Sequence, residues 1–324
     1  LLFNHISIVV RLLGVVKTII GASLLRCIVI YFLGFNEHFI FWLLGIFCYG
    51  LSTSMLLVVI QTWLNLTDIG KLKGLFIGLY SSSLSLGIAL GPILLQFIAS
   101  RELSFLINAI IALVPIVILG SVFKYKPTLT SEGKIRVMFI FKHAKIVMLS
   151  ALVGGICFFG LPSFLTLYGI ANGLSSNQAP LLLTMFMIGS VSIGALVSSL
   201  SAFIDRKFII YICVCLSVIC AVFLSLAVYA HVGIALALLV IWGGCMGGIY
   251  ATGLAFIGQT FRKEDQISAN TSFVLMDALG GFLGVFIIGT SMDVIGNEGL
   301  TYTIVIASTC YLIFITKRLT TRLQ

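Results

Sequence analysis

The sequence predicts an all-α polytopic membrane protein, a bundle of ten transmembrane helices, and three observations carry that prediction. Hydrophobic residues make up 60% of the 324 and charged residues only 9%, with a mean hydropathy of +1.21. A soluble domain of this length needs far more polar surface to cover its core. The apolar residues fall in blocks of about twenty, the length at which a helix spans a ~30 Å hydrocarbon core. The blocks run without the alternation of an outer-membrane strand, so each segment must close its own backbone hydrogen bonds as a helix.

In chain order the segments are 14–34, 39–64, 74–99, 103–123, 146–171, 179–203, 208–230, 232–260, 267–292 and 299–316. The first carries Lys17 at its opening and Arg26 inside it, and the second closes on the polar "QTWLN" from Gln61. The third holds "GLYSSSLSLGIALGP", Gly78 to Pro92, an uncharged stretch dense in serine and glycine. The fourth follows Arg101 and ends at a polar, basic link, Lys124 to Lys145. That link divides the chain into a partial N-terminal helical bundle of four helices (1–123), a cytoplasmic central loop (124–145) and a C-terminal six-helix bundle (146–324). Of the later segments, 146–171 brings Phe158, Phe159 and Tyr168. Segment 208–230 opens after Asp205, Arg206 and Lys207, and 232–260 brings Trp242, Tyr250 and Gln259. Segment 267–292 holds Asp277, and 299–316 ends at Lys317.

Charge orients these segments. One set of ends carries Arg11, Lys17, Lys71, Lys73, Lys124, Lys126, Lys134, Arg136, Lys142, Lys145, Arg206, Lys207, Arg262, Lys263, Lys317, Arg318 and Arg322, whereas the opposite ends carry only Arg101. Lysine and arginine collect in cytoplasmic loops, so both termini and the central loop are expected in the cytoplasm. The net charge of +9 then reports topology and anionic headgroups. The lipid bilayer is a partner, and nucleic acid is not. The opening "LLFNHISIVV" lacks the pattern of a signal peptide.

The eight cysteines all lie in apolar segments without metal-ligand spacing. They read as small packing residues, and neither metal nor cofactor is expected. His5, His38, His143 and His231 lie at or near segment ends, and no HExxH, GxSxG or Walker pattern occurs, which argues against an enzyme. A selectivity filter or ring of like charges is equally missing, which argues against a channel.

Short matches recur in the same order in both parts of the chain. "LGIALG" from Leu86 pairs with "LGGFLG" from Leu279, "IQTW" from Ile60 with "GQTF" from Gly258, and Lys17 before Thr-Ile-Ile with Lys207 before Phe-Ile-Ile. Together they point to a duplicated half in parallel topology, a common transporter design.

This pattern resembles the major facilitator superfamily of secondary transporters, two six-helix bundles joined by a long cytoplasmic loop. Gly78, Gly87, Gly91 and Pro92 fit the superfamily's antiporter-type motif on its fifth helix. "SAFIDRKF" from Ser201 resembles its loop motif, with Asp205 and Arg206 on the Asp-Arg pair, Lys207 as basic charge, and Ser201 and Phe208 in place of glycines. A first copy runs through "SIVVRLLGVVK", where Gly14 and Lys17 fit and Arg11 takes the acidic position. "VVIQTWLN" and "GGIYATGLAF" resemble the YcaD-type bacterial permeases, with Gln61 replacing an acid and Thr62 a serine. The resemblance places the ten segments as family helices 3–12, with the first two absent. It implies a transporter of the bacterial inner membrane that moves a small-molecule substrate by alternating access, with a proton or cation as coupling partner. The rival reading is a truncated, transport-inactive remnant or one part of a split transporter.

Several residues carry the expected chemistry. Asp277 lies about eleven residues into its segment, roughly 16 Å from the cytoplasmic end, and a carboxylate at that depth is costly unless paired, hydrated or protonated. It reads as a coupling site or as a structural acid bonded within the bundle. Gln61, Tyr80, Ser81, Phe158, Phe159, Tyr250 and Gln259 are weaker pocket candidates, with Tyr168 and Trp242 as pocket or interfacial-belt residues. Asp205 with Arg206 is expected to brace the cytoplasmic gate. Arg26 is expected to pair within the first half. Ser83, Gly87 and Gly91 recur every four residues and are expected to form a close-packed helix seam kinked at Pro92, matched by Gly280 and Gly284 on the other half.

Overall fold

Lipid offers the backbone no hydrogen-bond partners, so helices are the expected solution. The computed structural model describes residues 2–67, 70–98, 100–122 and 137–320, and among these it holds helices and no strand. The α-helices are α1 Leu2–Phe35, α2 Phe39–Leu66, α3 Lys73–Gln96, α4 Arg101–Ile111, α5 Val114–Val122, α6 Val137–His143, α7 Lys145–Gly155, α8 Leu161–Ala171, α9 Ala179–Ser199, α10 Arg206–Ala230, α11 Val232–Thr260, α12 Gln266–Ile295 and α13 Gly299–Thr320. Ten stretches among the described residues are long and apolar enough to span a membrane, and nine of them coincide with the expected segments to within about four residues, while the third runs Lys73–Gly91 against the expected 74–99.

Three departures have local causes. Helix continues upstream of the first segment to Leu2, broken at Gly14, whose φ of 74° and ψ of 172° belong to a region that only glycine occupies without strain. The break falls at the glycine assigned to the first loop motif. The fourth segment is two helices, because the chain turns at Ala112 and Leu113 and Pro115 has no N–H to donate back to Ile111. The last part of the expected central loop is the short helix α6, while its first part, 124–136, and Arg322 lie outside the described residues.

A further irregularity joins α7 to α8. Residues Ile156–Gly160 form a single π turn. Pro162 cannot donate to the carbonyl of Phe158 four residues earlier, and the wider turn absorbs the missing rung. A few helix ends show ordinary capping chemistry. The Ser100 side chain accepts from the Leu103 amide at 3.1 Å, and Gly173 and Gly296 take positive φ where α8 and α12 stop.

Packing divides the chain into two compact units. The first comprises residues 1–67, 90–140 and 258–274, and the second 68–89, 141–257 and 275–324. In the first, α1 packs on α2, α4 and α5, around a core that includes Val10, Val15, Ile19, Leu56, Val59 and Ile267. In the second, α8 packs on α9 and α10 on α13. Glycines on α11 sit against α9: a Cβ on Gly247 would lie 2.8 Å from Ser190 Oγ, and one on Gly244 2.6 Å from Ile193 Cβ. Small residues at such positions let helices approach closely where lipid supplies no hydrophobic drive.

Candidate functional site

Asp277 stands on α12, where that helix meets α7 and the π turn, within the second unit. A Cβ on Gly155 would collide with the Asp277 carbonyl oxygen, and one on Gly280 with the Leu152 carbonyl oxygen. At Gly284 a Cβ would lie 2.6 Å from Ile156 O, and at Gly160 3.0 Å from the Gly284 carbonyl carbon. Gly280 and Gly284 therefore line a close-packed helix contact. Its partner is the irregular α7–π–α8 helix. Phe159, from the π turn, lies over Gly281. The Asp277 side chain is half-buried, and no ion pair or side-chain hydrogen bond reaches its carboxylate among the described residues.

Aromatic rings continue from the π turn. Phe158 meets Phe159 edge-on at 5.6 Å and Phe186 at 6.2 Å, and Phe186 meets Trp242 edge-on at 6.5 Å. Trp242 and Tyr168 are both fully buried, so neither belongs to an interfacial belt. They are core residues of the second unit.

The serine-rich stretch of α3 behaves differently from expectation. Ser83 is exposed and donates to Leu79 O on its own helix at 2.9 Å, and a Cβ on Gly87 or Gly91 would meet nothing within 4 Å among the described residues. The seam lies on the opposite face. At 100° per residue, Gly74, Gly78, Ser81, Ser82 and Ser85 share one side of α3, and Ser83 and Gly87 the other. On the first side a Gly78 Cβ would lie 2.8 Å from Ala195 Cα of α9. There Ser82 Oγ donates to Val191 O at 2.6 Å, Ser198 Oγ to Gly74 O at 2.9 Å, and Ser85 and Ser190 hydroxyls pair at 2.7 Å. Ser81 is buried and points its hydroxyl at Gly247 O at 3.5 Å, and Tyr80 is half-buried beside it. The Pro92 backbone continues α3, and its side chain lies outside the described residues.

The loop motif resolves into a helix cap. Asp205 precedes α10, and its carboxylate accepts from the Lys207 amide at 2.7 Å, which satisfies an orphan donor and complements the helix dipole. Arg206 is buried at 9% exposure. The Lys207 ammonium lies 5.8 Å from the centre of the Phe256 ring.

Gln61 is fully buried in the first unit, close to a polar cluster that sequence reasoning missed. Asn65 Nδ2 donates to Asn270 Oδ1 at 3.0 Å. Asn270 Nδ2 donates to Gln266 O at 2.8 Å and to Thr62 Oγ1 at 3.3 Å, and Gln266 Nε2 donates to Phe261 O at 2.8 Å. Thr62, Asn65, Gln266 and Asn270 are all at most 5% exposed. The available signal was amphipathic spacing, since 62 and 65, and 266 and 270, each share a helix face inside an apolar span. Gln259 is exposed at the end of α11, and Tyr250 is half-buried in the second unit. Arg26 pairs with a tyrosine, its Nη2 donating to Tyr49 Oη at 2.7 Å with the guanidinium 4.8 Å from the ring centre.

Residues 6–319 match the Major Facilitator Superfamily. Among curated proteins none matches the sequence. Similar folds among solved structures include the E. coli fucose:proton symporter FucP, with a TM-score of 0.72 and 14% identity over 98% of this chain and 87% of that one. The human organic anion transporter MFSD10 (TETRAN) is similar with a TM-score of 0.71 and 11% identity over 97% of this chain and 82% of that one.

Proposed function

Because the chain belongs to the Major Facilitator Superfamily, we propose that it is a secondary transporter, moving a small solute across the bacterial inner membrane by alternating access with both termini cytoplasmic. The superfamily match over residues 6–319, together with ten membrane-length helices, carries this reading. The finer placement rests on motifs: Gly78, Gly87, Gly91 and Pro92 register α3 as the family's fifth helix, so the ten spans count as the third to twelfth of a YcaD-type permease, with halves 1–123 and 146–324 joined by 124–145. The likeness to a proton symporter, at 14% identity, supports the fold alone.

Asp277 is the residue we assign to ion coupling. Its carboxylate sits in a membrane-length helix without a cation beside it among the described residues, and a bound proton or cation is the natural neutraliser. Its backbone lies in the glycine seam between α12 and α7, so a change in its charge acts where the two helices are in closest contact. Neutral and charged forms would then favour different open sides.

The test uses proteoliposomes with an entrapped pH-sensitive dye and a panel of sugars, amino acids, carboxylic acids and organic cations. A solute gradient is expected to drive a pH change that Asp277→Asn abolishes while insertion and thermal stability are retained. Absence of flux or counterflow above protein-free vesicles for every solute overturns the transporter reading. Unchanged proton flux in Asp277→Asn overturns the coupling role alone.

A further inference from the structure

The basic link from Lys124 to Lys145 divides the sequence, and the packing crosses that division. Residues 258–274, from the C-terminal side of the link, group with the N-terminal part of the chain in the first compact unit. One face of α2 meets one face of α12 there. At 100° per residue, Val58, Thr62 and Asn65 share a side of α2, and Ile267, Asn270 and Val274 share a side of α12. Val58, Ile267 and Val274 belong to one buried cluster. Between the two α12 members, Asn270 bonds to Thr62 and Asn65. The contact lies at the end of α2 that precedes Lys71 and Lys73, and at the start of α12 that follows Arg262 and Lys263. These are ends that the charge distribution assigns to the cytoplasm.

The bonds that join these helices run between neutral groups. Asn65 Nδ2 donates to Asn270 Oδ1 at 3.0 Å, and Asn270 Nδ2 donates to Thr62 Oγ1 at 3.3 Å and to Gln266 O at 2.8 Å. Gln266 Nε2 donates to Phe261 O at 2.8 Å and to Gly258 O at 3.4 Å. Gly258 makes room for the pair, because a Cβ there would collide with Asn65 Oδ1. Each amide is donor and acceptor at once, so the contact fixes the register of α2 on α12. All four side chains are at most 5% exposed. The motif acid expected to brace the cytoplasmic gate is used otherwise, since Asp205 accepts from the Lys207 amide as the cap of α10.

We propose that Thr62, Asn65, Gln266 and Asn270 form an uncharged latch that holds the cytoplasmic ends of α2 and α12 together, an inference that rests on the alternating-access reading and names a contact that parts when the cytoplasmic side opens. Parting hydrates four buried side chains, and each bond lost to a protein partner is regained from water. A latch of this kind breaks and re-forms without leaving an unpaired charge in a medium of low dielectric. It also makes the closed form indifferent to ionic strength, because salt screens charges and not amides paired at contact. Loss of the latch favours the cytoplasm-open form over the closed one.

The experiment is amide hydrogen exchange of the 324-residue chain in lipid vesicles. It follows the cytoplasmic stretches 60–66 and 258–270 and the opposite stretches 36–43, 172–178 and 296–301. Asn270→Ala is expected to raise exchange in the first set about tenfold and to lower it in the second, because opening one side closes the other. Thr62→Val, which keeps the side-chain shape, should move both sets in the same directions by less. Wild type should exchange equally in low and high sodium chloride at the first set. A rise in the first set with the second unchanged marks a local packing contact and overturns the proposal, as does an unchanged first set or its loosening by salt. If Asn270→Ala does not fold, Asn270→Leu, which fills the space, decides by the same criterion. Reciprocal exchange without flux in the vesicle assay would remove the transporter reading and keep the latch, and flux with exchange that is not reciprocal would remove the latch alone.

Discussion

The buried amide cluster of the first unit makes the sharpest energetic prediction. Removing Asn270 in Asn270→Ala deletes an acceptor for Asn65 at 3.0 Å and donors to Thr62 at 3.3 Å and Gln266 O at 2.8 Å. Side-chain hydrogen bonds inside membrane proteins average about 0.6 kcal/mol and reach about 1.7 kcal/mol. Leaving the Asn65 amide buried without its acceptor adds about 1–3 kcal/mol. The single variant should therefore lose about 2–4 kcal/mol. Asn65→Ala alone is harder to interpret, because Asn65 makes a further interaction besides its bond to Asn270. The double-mutant cycle cancels that term and should return a coupling of about 1–2 kcal/mol. The assay is reversible denaturation in mixed micelles of wild type, Asn65→Ala, Asn270→Ala and the double variant, followed by tryptophan fluorescence, since Trp63 lies two residues from Asn65. If the two single effects add to within about 0.3 kcal/mol, the contact carries no coupling energy and the reasoning fails.

Two further outcomes are expected from the same unfolding measurement. Gly284→Ala places a Cβ 2.6 Å from Ile156 O and should destabilise by about 1–3 kcal/mol, whereas Gly87→Ala meets nothing within 4 Å among the described residues and should be neutral or stabilising by up to about 1 kcal/mol; the reverse ranking would restore the Ser83–Gly87–Gly91 face as the seam. Asp205→Ala should cost about 1 kcal/mol through loss of the cap on Lys207 N, and Asp205→Ser should recover most of it; an unchanged stability in the alanine variant would show that the carboxylate's contribution lies elsewhere.

The spans were legible because membrane thickness imposes one length and composition states it directly. The Lys124–Lys145 link was legible as polar and basic, and the helix Val137–His143 inside it was not, because no cap or periodicity marks seven residues. The glycine and serine stretch of α3 shows what a motif leaves out. Two small-residue stripes run along that helix, and the sequence names both without saying which one faces α9. Their spacing is equally regular, so only the neighbour decides, and here the neighbour's Ser190, Ala195 and Ser198 complement Gly74, Gly78 and Ser85. The amide cluster was hidden for a different reason. Asn65 and Asn270 are 205 residues apart, and a polar residue near the end of an apolar run looks like a helix terminus until its partner is in place. Arg26 was visible as a deep charge, and Tyr49 was invisible as its partner because sequence logic looks for an acid.

The α3–α9 contact has a mechanical consequence. Its cross-helix bonds run from serine hydroxyls, and a serine inside a helix always has a second acceptor in reach, the carbonyl one turn back on its own helix. Ser83 and Ser192 already rest in that state, at 2.9 Å from Leu79 O and 2.6 Å from Ile188 O. Ser85 is within reach of both at once, 2.7 Å from Ser190 Oγ and 3.3 Å from Ser81 O. Were α3 to shift along α9, as the proposed alternating access would require, each hydroxyl could swing to its own carbonyl as the old partner is lost. Such a shift would exchange one hydrogen bond for another at each serine and leave no buried donor unpaired.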